Sequence, residues 1–197
     1  MGGAHESMEH SEHAQHASGT NRSVALLIAV IALFLAFSET LGKSAQTEAL
    51  ARNVEASNLW SFFQAKAIRA TTLRTASEQM ETQAAGLQDA GAREAAEKRV
   101  ADWKKTIARY DDEPSTGEGR KQLAERAQHA EHARDLAMAK YHHFEVASAA
   151  FQIAIVLASA TIITGMVALA WLAGALALGG LAFSAIGFFA PHAVHLF

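Results

Sequence analysis

The fold is decided by the C-terminal stretch from Val146 to Ala190, which reads VASAAFQIAIVLASATIITGMVALAWLAGALALGGLAFSAIGFFA. It contains no charged residue, and none follows as far as Phe197. As one helix it would be about 70 Å long, more than twice the hydrocarbon core of a bilayer, which is about 30 Å thick. The stretch therefore predicts a transmembrane hairpin over residues 146–190, followed by a short tail, 191–197.

The turn of this hairpin has two candidate positions. Gly174 follows Trp171, a residue type that favours the membrane interface, and we expect the turn there. A turn at Gly179 and Gly180 would leave too short a returning helix. A re-entrant final segment is the alternative to a full third crossing. Small residues at four-residue spacing, Ala175 with Gly179 and Ala150 with Ala154 and Ala158, predict close helix contacts.

A second apolar run lies near the other end of the chain. From Ser23 to Leu41 it spans roughly 28 Å as a helix, and Arg22 and Lys43 flank it. It predicts a first transmembrane helix over residues 23–42. The fold class is thus an all-α integral membrane protein with three transmembrane helices, embedded in a lipid bilayer.

Charge is confined to the middle of the chain. Arg22 apart, every Lys and Arg lies between Lys43 and Lys140, and the net charge is −3. This balance excludes nucleic acid as a partner, because no basic stripe is present. Positive residues near the membrane ends favour a cytoplasmic placement of the central domain, in a bacterial inner membrane.

The central domain, residues 43–145, is rich in helix-forming residues and has no strand signal. Pro114 and the flanking Gly and acidic residues predict a strong break, and the Gly86 to Gly91 segment predicts a weaker one. We therefore expect helices from Lys43 to Ala85, from Gly91 to Tyr110, and from Glu118 into the membrane. Together they would form a coiled-coil-like stalk.

Apolar spacing predicts how this stalk packs. One face of the third helix carries residues at alternating steps of four and three, namely Leu123, Ala127, Ala130, Arg134, Ala137, Tyr141 and Phe144. The first helix offers Leu50, Val54, Leu59, Trp60, Phe62, Phe63 and Ile68 as its packing residues. We expect Trp60 and Phe63 to pack on Tyr141 and Phe144 as an aromatic collar next to the membrane. One or more of Trp60, Phe62 and Phe63 would contact another subunit.

Two polar features could carry chemistry. The tail, residues 1–22, is predicted to be disordered or weakly helical. Its His10, His13 and His16 could bind Zn or another divalent transition metal, although a solvating or pH-responsive segment explains them equally. Glu39 lies inside the first apolar helix, where an ionisable side chain is costly and suggests an ion or proton site. An ion pair between Glu39 and Lys43 is the simpler interpretation.

Catalytic motifs are missing from the sequence. It has no cysteine, no nucleophile elbow, no phosphate-binding loop and no dinucleotide fingerprint. The histidines of the third helix, among them the adjacent pair His142 and His143, lack a metalloprotease spacing and read as helix-surface residues. We therefore expect a protein that is not an enzyme and that holds no cofactor.

The segment from Asn53 to Arg69, NVEASNLWSFFQAKAIR, resembles the bacterial membrane family known as domain of unknown function 4337. That family has the same order of segments: an apolar first helix, this motif, charged helices and a terminal apolar hairpin. The matching residues are Ala56, Ser57, Trp60, Phe62, Phe63, Gln64, Ala65 and Lys66. The resemblance implies the architecture but no activity, and Phe62 and Phe63 stand where the family has paired Tyr. Lys66 is expected to be solvated.

The sequence as a whole favours a non-enzymatic membrane scaffold or assembly protein. It would form a homo-oligomer through the hairpin and the stalk, and could join a larger membrane complex. The alternative is an accessory subunit of metal or ion transport that uses the tail histidines and Glu39.

Overall fold

A computed structural model of the chain describes residues 3–194, with side chains from residue 22 onward. Over this part the chain is entirely helical and contains no strand: α1 is Gly3–Ala85, α2 is Ala90–Asp111, α3 is Arg120–Thr164 and α4 is Val167–Phe189. The all-helical class is confirmed. Helix α1 includes residues 3–22 of the predicted tail. The side chains before Arg22 lie outside the described residues, so metal binding by the tail stays a prediction.

Three of these helices contain a stretch long and apolar enough to cross a membrane: α1 within the range Arg22–Ala85, α3 within Arg120–Thr164, and α4, Val167–Phe189. The chain forms two compact units. The terminal unit comprises Met1–Glu48 and Leu136–Phe197, and the central unit comprises Ala49–Asp135. Helices α1 and α3 each belong to both units.

The two breaks of the central unit lie where the sequence predicts them. Helix α2 begins after Asp89, whose carboxylate accepts hydrogen bonds from the backbone N–H groups of Gly91 and Ala92 at 3.4 and 3.1 Å. The second break contains Gly117, which has a positive φ of 68° that other residues adopt only with strain. Local chemistry therefore suffices to end these helices.

The hairpin turns earlier than Gly174, so that prediction is wrong. Helix α3 ends at Thr164 and α4 begins at Val167, with Gly165 at a φ of 71° between them. The Gly165 N–H donates to the carbonyl of Thr161 at 2.9 Å and caps α3. Gly174 lies inside α4, because a glycine surrounded by helix-forming apolar residues does not break a helix without a second signal.

In the terminal unit, α4 packs on α3 through a line of small residues. Buried Ala173, Ala177, Gly180 and Gly187 follow heptad spacing along α4. A Cβ atom on Gly180 would lie 2.8 Å from the ring of Phe151, which is fully buried. The close approach of the two helices therefore requires glycine here.

The small residues predicted to pack are only partly the ones that do. On α3, Ala154 and Ala158 are fully buried as expected. On α4, however, Ala175 and Gly179 are exposed. The hydroxyls of Ser159, Thr161 and Thr164 do not bond between helices but donate to carbonyls four residues back in α3.

The central unit has an alanine-rich core. The predicted face of α3 is correct, because its Leu123, Ala127 and Ala130 are buried and Ala137 and Phe144 continue the line into the terminal unit. On α1, the buried line consists of Ala49, Ala56, Leu59, Lys66, Ala70, Ser77 and Ala84, at heptad spacing. Leu50, Val54 and Ile68, predicted to pack, are exposed instead. Small side chains are buried because they let the helices approach closely.

Candidate functional site

The motif that begins at Ala56 lies partly in the interior of the central unit: Ala56 and Lys66 are buried and Trp60 and Phe63 half-buried. Trp60 donates its indole N–H to Oε1 of Glu131 on α3 at 2.8 Å, and its ring meets Phe63 edge to face at 5.5 Å between centroids. Both rings pack against the cluster formed by Ala56, Leu59, Leu123, Ala127 and Ala130. Trp60 is therefore an anchor between α1 and α3, with its polar atom satisfied.

Lys66 is buried, which corrects the expectation that it is solvated. The residue is only 5% exposed. Its ammonium group lies 3.5 Å from a carboxylate oxygen of Glu118 and 5.3 Å from the ring centroids of both Phe62 and Tyr110. An ammonium held by two aromatic faces and one carboxylate is stabilised by cation–π attraction as well as by the ion pair. The group thus joins α1 to the end of α2 and to the loop after it.

The same loop is fastened by residues at the start of α3. Arg120 pairs with Asp111 at 2.8 Å and lies over the ring of Phe63 at 5.0 Å. The side chain of Gln122 accepts from the backbone N–H of Glu113 at 3.1 Å. Lys66 therefore contacts the α2–α3 loop through Glu118, whereas Trp60 and Phe63 contact α3 through Glu131 and Arg120. All of these partners lie within the central unit.

The aromatic collar predicted next to the membrane is wrong in its register. Trp60 and Phe63 lie in the central unit, where their α3 partners are the residues around Ala127. Phe144 lies in the terminal unit, where its Cβ is 3.3 Å from the position that a Cβ on Gly42 would take. Tyr141 also lies in the terminal unit. Sequence spacing predicts which face of each helix is buried, but not which residues of two neighbouring helices lie opposite each other.

Ser38 makes the interhelical hydrogen bond that sequence reasoning missed. Its hydroxyl donates to the backbone carbonyl of Phe144 at 3.1 Å, and the residue is 2% exposed. Ser38 shares the heptad line of the buried Ile31 and Ala45, a signal that was readable from the sequence. The bond ties α1 to α3 within the terminal unit.

Glu39 faces α3 and not Lys43. Its Oε1 accepts from the amide of Gln152 at 3.1 Å, and the described residues show no ion pair between Glu39 and Lys43. The two helices enclose a cleft of about 410 Å³ here, with polar lining residues Ser38, Glu39, Lys43, Gln46, Tyr141, Glu145, Ser148 and Gln152. The cleft therefore brings two carboxylates, one ammonium and several neutral polar groups to one place.

Tyr141 occupies the end of this cleft outside the apolar segment. Its hydroxyl donates to Oε1 of Glu145 at 3.2 Å. Partial burial, this hydrogen bond and repulsion from the carboxylate raise the pKa of Tyr141 above its usual value of 10.0. The phenol is therefore neutral at physiological pH and acts as a hydrogen-bond donor.

His143 is buried, which corrects the expectation of a helix-surface histidine. Its Nε2 lies 3.1 Å from the carbonyl oxygen of Pro191 and donates to it, and its ring stacks on Phe183 at 6.3 Å. A Cβ on Gly187 would lie 2.8 Å from the Cβ of His143. This histidine fastens the end of α4 to α3.

Among the residues whose side chains are described, no three His, Asp or Glu side chains converge. His10, His13 and His16 lie outside the residues whose side chains are described. Zinc binding at these three residues therefore stays a prediction.

Comparison with known proteins gives one match. The model of the family described as domain of unknown function DUF4337 matches residues 20–190, which confirms the resemblance carried by the Trp60 motif. Neither the curated proteins nor the solved structures contain a match to the chain.

Proposed function

The chain belongs to the DUF4337 family, and from that premise we propose that it is a non-enzymatic membrane scaffold that self-associates through its hairpin and its helical central unit. The membrane would be a bacterial inner membrane, with the central unit in the cytoplasm. The three apolar helices support the membrane location. Trp60, Phe63 and Lys66 of the family motif support a structural role, since their partners are residues of α2, α3 and the loop between them.

One observation carries the self-association. Gly179 is exposed on α4, and a Cβ atom added to it would meet nothing within 4 Å. Ala175, four residues earlier, is exposed as well. The contact of α4 with α3 uses Gly180 and Gly187 instead, so the chain itself makes no use of the small surface at Gly179. Small residues on a membrane helix let a second helix approach closely, and a hairpin from another copy would supply that helix.

The test is the mass of the full chain in a mild detergent, with Gly179→Leu compared to Ala185→Leu. Both positions are exposed on α4, so both variants should fold, but Ala185 lies on a different face. We expect the wild type and Ala185→Leu to be oligomers and Gly179→Leu to shift toward the monomer. A wild-type protein that is monomeric at all concentrations would refute the proposal.

A second candidate function rests on the cleft at Glu39. Its carboxylates and the Gln152 amide offer oxygen ligands at the edge of the apolar part of the chain, which suits an accessory role in ion or metal transport together with the tail histidines. Titration of the full chain with Zn²⁺ tests it. Micromolar binding that is lost on replacing His10, His13 and His16 would favour this function over a scaffold.

A further inference from the structure

An uncharged stripe covers the exposed side of α1 in the central unit. It consists of nine residues at heptad spacing, all of them exposed: Thr47, Leu50, Val54, Ser57, Ser61, Gln64, Ile68, Thr71 and Thr75. Three are large and apolar, with Leu50 64%, Val54 51% and Ile68 68% exposed. The others are Ser, Thr and Gln. We call this surface the outer stripe.

The charges of α1 avoid the outer stripe. Between Thr47 and Thr75 the helix has six charged residues. One of them, Arg74, lies on neither the stripe nor the buried line, and Lys43 and Glu78 occupy the stripe's heptad positions just beyond its two ends. Arg52 and Lys66 lie on the buried heptad line, and Glu48, Glu55 and Arg69 each come immediately before a buried alanine of that line. The whole opposite side, which water would solvate in an isolated bundle, is neutral. Exposed helix faces are normally the charged ones.

The other two helices of the central unit show the normal pattern. Helix α2 reads AGAREAAEKRVADWKKTIARYD and exposes acids and bases along its length. The exposed side of α3 includes Lys121, Glu125, Arg126 and Asp135. The neutral face is therefore specific to α1 and does not reflect the composition of the unit.

Three of the six polar side chains of the outer stripe already have hydrogen-bond partners within α1. The hydroxyls of Thr47, Ser61 and Thr71 each donate to the carbonyl four residues back in α1, at 2.9, 2.8 and 3.0 Å. A buried hydroxyl without a partner would oppose docking, and these hydroxyls already have one. These three hydroxyls can therefore be covered by a partner at low cost, and the apolar Leu50, Val54 and Ile68 gain from it.

From these features we infer that the outer stripe is a homotypic interface, at which α1 of a second copy packs in parallel. Steps of three and four residues along about 42 Å of helix suit a helical partner at a small crossing angle. The contact would bury on the order of 700 Å² per copy, close to the roughly 800 Å² per partner of a stable interface.

The second copy is the occupant because of charge and orientation. Two copies anchored in the same membrane share one orientation, so their α1 helices run parallel and each residue meets its own equivalent. Like charges would then face each other and oppose the contact, and only a neutral stripe avoids this. A different partner protein would be specified by complementary charges, which the outer stripe does not offer.

The inference rests on the proposed self-association and assigns part of the contact between copies to the outer stripe of α1. The natural chain has no cysteine, so single cysteines report cleanly on the full protein in native membranes. Val54→Cys and Ile68→Cys should give disulfide-linked dimers on mild oxidation. The matched control Lys105→Cys, on the exposed and charged α2, should not. Equal cross-linking at all three sites, or cross-links to other proteins alone, would overturn the inference.

A second experiment places a charge in the outer stripe. In the Val54→Cys protein, adding Ile68→Glu should reduce the dimer yield at least tenfold, whereas adding Gln128→Glu on the exposed side of α3 should leave it unchanged. An Ala175→Cys variant, which reports cross-linking at α4, distinguishes self-association through the hairpin from the interface proposed at the outer stripe. Cross-linking there without cross-linking at Val54 refutes the outer stripe and leaves the scaffold standing. A monomer without cross-links at either site refutes both.

Discussion

Replacing Lys66 tests whether its buried ammonium or its buried aliphatic stem stabilises the central unit. Lys66→Met keeps most of the stem and removes the charge, whereas Lys66→Ala removes both. The side chain is 7% exposed, so its methylene groups are almost fully buried. Three of them are lost on truncation to Ala, at about 0.8 kcal/mol each, and the cavity left behind adds to this cost. We expect Lys66→Ala to lower the free energy of unfolding by about 2–4 kcal/mol.

The loss expected for Lys66→Met is much smaller. Glu118 is 52% exposed, so water screens its ion pair with Lys66 to at most about 1 kcal/mol. The cation–π contacts with Phe62 and Tyr110 contribute about 1–2 kcal/mol. Removing a buried ammonium also removes its desolvation cost, which is of similar size or larger. The terms oppose each other, and the net change should be within about 1 kcal/mol.

Denaturant unfolding of the full chain in detergent, followed by the fluorescence of Trp60 and Trp103, measures both variants. Glu118→Gln is the control, because it removes the ion pair and leaves Lys66 in place. If Lys66→Met destabilises the protein as much as Lys66→Ala does, the charge and not the stem holds the loop. Our account of Lys66 as a packing residue would then be wrong.

Three further predictions follow from the fold. In thermal unfolding, Gly187→Ala should lower the free energy of unfolding by about 1–3 kcal/mol, because the added Cβ would overlap His143. Gly174→Ala has open space around the added Cβ and should leave that free energy unchanged or raise it by up to about 1 kcal/mol. Deleting residues 1–20 should leave folding and oligomer mass unchanged by light scattering; loss of the oligomer would contradict this. A cysteine at the exposed Ser115 should react with a membrane-impermeant thiol reagent only after lysis; labelling of intact cells would place the central unit outside.

Much of the architecture follows from the sequence alone. An uncharged run as long as Val146 to Ala190 has one physical solution in a bilayer, a folded-back pair of helices, because every backbone polar group must bond within its helix. The breaks at Gly86 and Pro114 are local events, and the structure places helix ends beside both. The buried face of α3 was also predictable, because its large and small apolar residues repeat on one line.

Tertiary structure decided which face of α1 packs inward and which groups meet. Hydrophobicity ranks Leu50 and Ile68 above Ala49 and Ala70, yet the alanines are buried, since close helix packing selects small volume over apolar area. The partners of Lys66 and Ser38 lie far along the chain, and the sequence does not specify the level at which two helices are opposite each other. That level depends on how all the side chains between the helices fit together, which no segment contains by itself.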